Sequence, residues 1–306
     1  MADPRPIGVF DSGVGGLTVL QEILRRTPHE STIYLGDNAR APYGPRTDEE
    51  VLRFSTQSLD ALVERDVKAL VVACNTSTAV GIGAFRRRYD LPVLGVIRPG
   101  ASAAALSTRN RRVGVIATPA TIRSHAYFAS IKDENPAIEV YEHATPALVP
   151  MVESGILSGV EAEATVAASL APLLGERDAD GESIFPRPEG ASIDTLLLGC
   201  THYPLLRPVI AAAVGERVAI VDSATATASA LAELLIVNGL EAPGTTRGTA
   251  ADAGLAGHER PDETPRPPVH EILTTGDAAR FQSIADRLFG SDHPSAVSIE
   301  LGEPVA

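Results

Sequence analysis

Short apolar runs recur along the chain, each followed by a small polar cluster and then by a stretch of helical periodicity. The runs cover residues 6–10, 32–35, 69–73, 93–97, 113–117, 138–141, 195–198, 218–221, 270–273 and 297–301. They are brief, rich in β-branched residues and apolar nearly throughout. That pattern predicts parallel strands buried on both faces, because an alternating pattern would be expected if one face met water. Helical stretches at 17–26, 47–65, 78–89, 121–131, 160–174, 224–237 and 277–289 lie between most of them. Strands alternating with helices predict an α/β fold with right-handed crossovers. Two stretches break the rhythm: 176–190 is charged and holds Gly and Pro, and 241–268 is rich in Pro, Gly, Thr and Ala. Both are expected to be exposed loops outside the chemistry.

A faint internal repeat refines this picture. LVVACNT at 70–76 is similar to LLLGCTH at 196–202, and IGVFDS at 7–12 is similar to VGVIAT at 113–118. The two pairs run in the same order, which predicts two similar half-proteins. The length of 306 residues and the 44% hydrophobic content suffice for two domains or one large one. A net charge of −13 argues against direct nucleic-acid or anionic-membrane binding, since both partners are negative. No apolar run approaches the ~20 residues that span a bilayer, and residues 1–6 lack the apolar core of a signal peptide, so a cytoplasmic location is expected. Two cysteines make no disulfide framework, and without Cys-x-x-Cys or His-x-x-x-His spacing they make no structural zinc site.

In open α/β sheets, ligands bind beyond the carboxyl ends of the strands. There the sequence places Asp11-Ser12, Asp37, Cys74-Asn75-Thr76, Thr118, Cys200-Thr201-His202 and Asp222-Ser223. Helix capping explains Asp222-Ser223 and part of the others. It leaves the cysteines unexplained. A lone cysteine is commonly a small buried hydrophobe. Here both directly follow a buried strand, both precede polar groups, and both stand where a helix N-terminus lowers a thiol pKa. The coincidence favours a paired thiol site. His202 reads either as a core or capping histidine or as a partner that shares a proton with Cys200. Asp11 is the matching acid on the first strand, and it also suits an N-cap for the helix opening near Gly16. The loop Gly13-Val14-Gly15-Gly16 invites a dinucleotide reading, but the third glycine of that fingerprint would fall on Thr18. No Walker A lysine follows either. Such a turn can instead aim N–H groups at a carboxylate. PYGP at 42–45 reads first as a rigid turn, and second as a site wall with the Tyr43 phenol facing a ligand.

Together these pieces resemble the glutamate racemases of bacterial cell-wall synthesis. The matching stretches are IGVFDSGVGGLT at 7–18, PYG at 42–44, ACNT at 73–76, GVIAT at 114–118 with Thr121, LGCTHYPLL at 198–206 and, more loosely, VDSA at 221–224. Asn38 and Arg98 depart from the family pattern without consequence for the chemistry, and 241–268 looks like an insertion. The resemblance implies two α/β domains with mainly parallel sheets related by pseudo-twofold symmetry, with the site in the cleft between them. It implies a first domain of 1–97 plus 208–306 and a second of 98–207.

The resemblance further implies racemisation of glutamate with no cofactor and no metal, supplying D-glutamate for peptidoglycan. Cys74 assisted by Asp11 would serve one face of the substrate, and Cys200 assisted by His202 the other. Glu153 matches an acidic position of the family and would also assist. Asp11, Ser12, Tyr43, Gly44, Asn75, Thr76, Thr118, Thr121, Thr201 and His202 would hold the substrate. A second copy of this chain and DNA gyrase, which some family members restrain, are partner expectations, although the sequence shows no module for the latter. Three rival readings stay open: an aspartate or hydantoin racemase, a one-cysteine hydrolase or transferase built on Cys200 and His202, and a binding or regulatory protein.

Overall fold

A computed structural model of the protein describes residues 2–174, 193–243 and 267–302. The loop expected at 176–190 lies outside these, as does most of the one expected at 241–268. The described residues form ten strands: β1 (Ile7–Asp11), β2 (Thr32–Gly36), β3 (Ala69–Val72), β4 (Val93–Gly95), β5 (Arg112–Ala117), β6 (Glu139–Ala144), β7 (Thr195–Gly199), β8 (Ala219–Asp222), β9 (His270–Thr274) and β10 (Ala296–Ser298). Every apolar run predicted to be a strand is one. Eleven helices accompany them: α1 (Leu17–Arg26), α2 (Asp48–Val63), α3 (Asn75–Arg88), α4 (Ile97–Ser107), α5 (Pro119–Arg123), α6 (Ala126–Glu134), α7 (Leu148–Glu153), α8 (Val160–Leu174), α9 (Arg207–Val214), α10 (Ser223–Asn238) and α11 (Ala278–Phe289).

The strands form two sheets, ordered β10-β9-β2-β1-β3-β4 and β6-β5-β7-β8. Every pairing is parallel. The order β2-β1-β3-β4 reappears as β6-β5-β7-β8, so the sequence repeat is a repeat of topology. The inner strands are buried on both faces. Ile7 and Val9 of β1 pack with α1, α10 and α11, while Phe10 meets Leu59 and Leu62 of α2 and Phe85 of α3. In the second sheet Ile116, Leu196 and Leu198 pack with α7, α8 and α9, and Val113, Val115 and Leu197 with α4 and α6. Each apolar side chain so buried contributes about 1.5–3 kcal/mol. The edge strands β6, β8 and β10 are partly exposed, against the expectation of full burial.

The chain leaves the first sheet after β4, through α4, and returns after β8, through α10. The return expected near residue 208 therefore comes later, after Asp222. The physical reason is that β8 supplies the fourth strand of the second unit by pairing with β7. Three helices that the sequence pattern does not predict carry a proline near their start. Pro99 in α4, Pro150 in α7 and Pro208 in α9 all sit in the first turn, where no intrahelical N–H bond is lost. The helix expected over 121–131 is broken at His125, whose φ of 52° is left-handed.

Away from the strands' carboxyl ends, Lys68 and Glu30 form a buried ion pair with side-chain exposures of 0% and 4%. Lys68 Nζ also donates to the Asp3 carbonyl at 2.8 Å, and Glu30 Oε1 accepts from the Ala242 N–H at 2.8 Å. The pair ties the start of the chain to the segment after α10. Removing one partner strands a buried charge, whereas replacing both with apolar residues does not. Lys68→Met is expected to cost about 3–5 kcal/mol in urea unfolding at neutral pH, and the Lys68→Met/Glu30→Met double variant is expected to regain most of that loss.

Candidate active site

The carboxyl ends of the central strands of both sheets meet at one cavity of about 220 Å³. From the first half, Ser12 and Gly13 follow β1, and Cys74, Asn75 and Thr76 follow β3. From the second, Thr118 follows β5, and Cys200, Thr201 and His202 follow β7. The remaining walls also come in an equivalent pair. The turn with Pro42, Tyr43 and Gly44 follows β2, and the segment with Pro146, Val149 and Glu153 follows β6. Both of the chain's cysteines thus face one space, each from a different half. The one-cysteine reading would leave Cys74 there without a task. Among the described residues, no three His, Cys, Asp or Glu side chains converge to hold a metal ion. No helix among them is long and apolar enough to cross a membrane.

Cys74 is the N-cap of α3, its sulfur accepting from the Ser77 N–H at 3.5 Å. Its thiol lies 3.3 Å from Ser12 Oγ. The helix terminus was expected to lower the thiol pKa, and the environment overrules it. Burial first, and then the charge of Asp11, push Cys74 up to about 11 against its hydrogen bonds with Ser12 and Ser77. Asp11 is itself fully buried, and burial raises its carboxyl above the usual range, although His202 and the N–H groups of Gly13 and Gly16 oppose the shift. Asp11 accepts from the Gly13 N–H at 3.0 Å. It does not cap α1, which starts after Gly16 with no side-chain cap. It also stands behind the cavity wall rather than in it.

Cys200 has a different setting. A turn and a short 3-10 helix, Tyr203–Leu206, follow it, so no α-helix N-terminus faces its sulfur. Its neighbour is His202, with Nδ1 3.8 Å from the sulfur and Nε2 3.1 Å from Glu153 Oε1. Burial disfavours the imidazolium, but contact with Cys200 and Glu153 outweighs it and lifts His202 to about 10. Burial likewise works against Glu153 ionisation, and the hydrogen bond and charge of His202 reverse this, holding Glu153 below its ordinary value. Cys200, His202 and Glu153 thus form a relay in which the ring stays protonated at neutral pH.

Tyr43 lines the cavity, but its hydroxyl turns away, donating to the fully buried Asp37. Asp37 also accepts from Arg40 at 2.7 Å and from Thr275 at 2.6 Å. This anchor holds the turn, a role that Asp37's place at a strand end hinted at but did not specify. Thr121 is absent from the wall. It backs Thr118, hydroxyl to hydroxyl at 3.1 Å, and Thr118 in turn meets Thr76 at 2.9 Å across the cleft. Sequence reasoning missed Tyr127, which donates to Asn75 Oδ1 at 2.6 Å; nothing local in the sequence pairs those two positions. The glycine loop also has a use that its pattern did not reveal. A Cβ on Gly15 would stand 2.5 Å from His202 Nδ1 and 2.6 Å from Thr201 Oγ1. The two halves touch there because no side chain intervenes.

Gly15→Ala is expected to displace the His202 ring from Cys200. Since contact with Cys200 and Glu153 is what raises His202, its titration midpoint, followed by NMR, should fall from about 10 towards the ordinary imidazole value of 6.5.

The profile of the Asp/Glu/hydantoin racemase family matches residues 7–231. The glutamate racemase of Oceanobacillus iheyensis is 41% identical over 296 residues, 97% of this chain and 96% of that protein. A glutamate racemase isoform from Bacillus anthracis superposes with a TM-score of 0.83 at 38% identity, over 99% of each chain. The glutamate racemase of Francisella tularensis, solved in complex with D-glutamate, does so with a TM-score of 0.79 at 31% identity, over 97% of this chain and 98% of that one. These likenesses span both sheets and the cleft between them, and they show that the chain belongs to the Asp/Glu/hydantoin racemase family.

Proposed function

We propose that the protein is a glutamate racemase that works without a cofactor, with Cys74 and Cys200 as its two acid–base groups, and that it supplies D-glutamate for peptidoglycan synthesis. The observation that carries the mechanism is that the two thiol groups, one from each half of the molecule, line the same cavity. The choice of glutamate rests on the likeness to proteins named for that substrate. The cavity, at about 220 Å³, is below the ~300–1,000 Å³ range of drug-sized ligands and suits a single amino acid.

Racemisation removes the α-proton from one face and returns a proton to the other. One sulfur enters as thiolate and accepts the proton, leaving a carbanion. The other enters as thiol and delivers its proton to the opposite face. The pair ends with its charges exchanged, and the reverse reaction restores it. With Cys74 held at about 11, roughly one molecule in ten thousand carries its thiolate at pH 7, so Cys74 rests as the proton donor. Cys200 faces an imidazolium, which stabilises negative charge on that side. Ser12, Asn75, Thr76, Thr118 and Thr201 offer hydroxyl and amide groups that hold carboxylate and ammonium without changing charge. Water exclusion by the closed walls strengthens each of these contacts.

Cys74→Ala and Cys200→Ala are each expected to abolish the change in circular dichroism of L-glutamate incubated with pure protein and no added cofactor, while leaving thermal unfolding cooperative. Near-normal racemisation by either variant would sink the two-thiol mechanism. The raised Cys74 pKa makes a separate prediction. In the ligand-free protein, alkylation of Cys74 by iodoacetamide should quicken about tenfold per pH unit between pH 7 and 10, because the thiolate fraction grows until the pH passes about 11. A rate that levels off near pH 8 would show that burial and Asp11 do not control this thiol.

A further inference from the structure

Asn75 is 3% exposed and lines the cavity. Its two amide ends are treated differently. Oδ1 accepts a 2.6 Å hydrogen bond from the Tyr127 hydroxyl, whereas Nδ2 is buried with no hydrogen-bond partner among the described residues. A buried N–H pair without an acceptor is unfavourable unless something else supplies one. The unpartnered end of the amide is the one left for a ligand, and a substrate carboxylate would satisfy it.

Tyr127 fixes which end that is. It stands on α6 of the second half and reaches Asn75 of the first. Its ring is fully buried, and a Cβ on Gly199 would stand 2.8 Å from Tyr127 Cε2, so the neighbouring strand end leaves room for this ring alone. Ser223, at the start of α10, stands beside the phenol and opposes the upward push that burial exerts on its pKa. The phenol's one proton goes to Asn75, and an O–H donor selects the amide oxygen over the amide nitrogen. Tyr127 lies in the second half and Asn75 in the first, so this hydrogen bond ties the packing of the two halves to the orientation of one amide.

We propose that Tyr127 is a positioning residue: its hydroxyl holds Asn75 with Nδ2 turned into the cavity, where it donates to a carboxylate of the substrate. The proposal rests on the reading of the cavity as a glutamate site. Tyr127 touches no substrate atom, and its effect passes through Asn75.

Tyr127→Phe keeps the ring and removes only the hydroxyl. Losing an oriented donor that binds the substrate and the transition state alike should raise KM for glutamate by about tenfold and change kcat by less than about threefold. Asn75→Ala should raise KM by at least as much, and adding Tyr127→Phe to it should change KM no further, because the two act as one unit. An unchanged KM in Tyr127→Phe, or effects that multiply in the double variant, would overturn the proposal. A second readout needs no turnover. The Asn75 side-chain NH2 signals in 15N–1H spectra of the ligand-free protein, identified by their loss in Asn75→Ala, should form one sharp pair. In Tyr127→Phe they should broaden or double as the amide samples both orientations. A pair equally sharp and unshifted in Tyr127→Phe would overturn the positioning role whatever the reaction. Broadened signals in a protein that does not racemise glutamate would keep that role and defeat the assigned reaction instead.

Discussion

Inverting one carbon by proton transfer requires an acceptor and a donor on opposite faces of that carbon. Reactive groups on a parallel sheet leave from its carboxyl edge, so two such edges set face to face can approach one carbon from both sides. This chain builds the same four-strand order twice and sets the two carboxyl edges against one cavity, and the proposed mechanism uses that arrangement to meet the constraint. The crossings through α4 and α10 follow from that plan, each coming after the fourth strand of its unit. So does the bare backbone at Gly15, where the halves approach too closely for a side chain. Hydroxyl contacts between Thr76 and Thr118, and between Thr18 and the Thr201 carbonyl, close the seam around the cavity.

The repeat in topology does not extend to electrostatics. On the first side a thiol is buried beside a buried carboxyl group, and both are pushed towards their protonated forms. On the second side a thiol adjoins a histidine that Glu153 and Cys200 together keep charged. One side thus holds its groups towards the protonated, neutral state, and the other places a positive ring beside its thiol. The His202 charge also reaches Asp11, so the two sides are not independent. A repeated scaffold thus carries an asymmetric charge pattern.

Much of this was legible in the sequence because burial on both faces of a parallel sheet leaves an unmistakable pattern. The ten apolar runs, the paired motifs around Cys74 and Cys200, and the polar residues at strand ends all depend on local chemistry. What escaped depends on distant contacts. Helices α4, α7 and α9 were not predicted, and each carries a proline in its first turn, Pro99, Pro150 and Pro208. The turn at 42–45 reads first as structural and only second as a wall with its phenol facing a ligand, and Asp37, buried behind Tyr43, takes that hydroxyl. Asp11 suited an N-cap by position, but its carboxylate is used by Gly13. Thr121 belonged to the matching motif and supports Thr118 from behind. Tyr127 carried no signal, because its partner Asn75 comes from the other half of the molecule.

The central claim is that two separate groups handle the proton on the two faces of one carbon, and isotope placement tests it directly. L-glutamate bearing protium at the α-carbon would be incubated with the protein in D2O, and both enantiomers recovered at low conversion. The account predicts deuterium in nearly all of the D-glutamate formed and almost none in the remaining L-glutamate, because the donor has equilibrated with solvent and the acceptor stands on the other face. Substantial protium carried from substrate into D-glutamate, or deuterium appearing equally in both enantiomers from the start, would mean that one group serves both faces and would contradict the account.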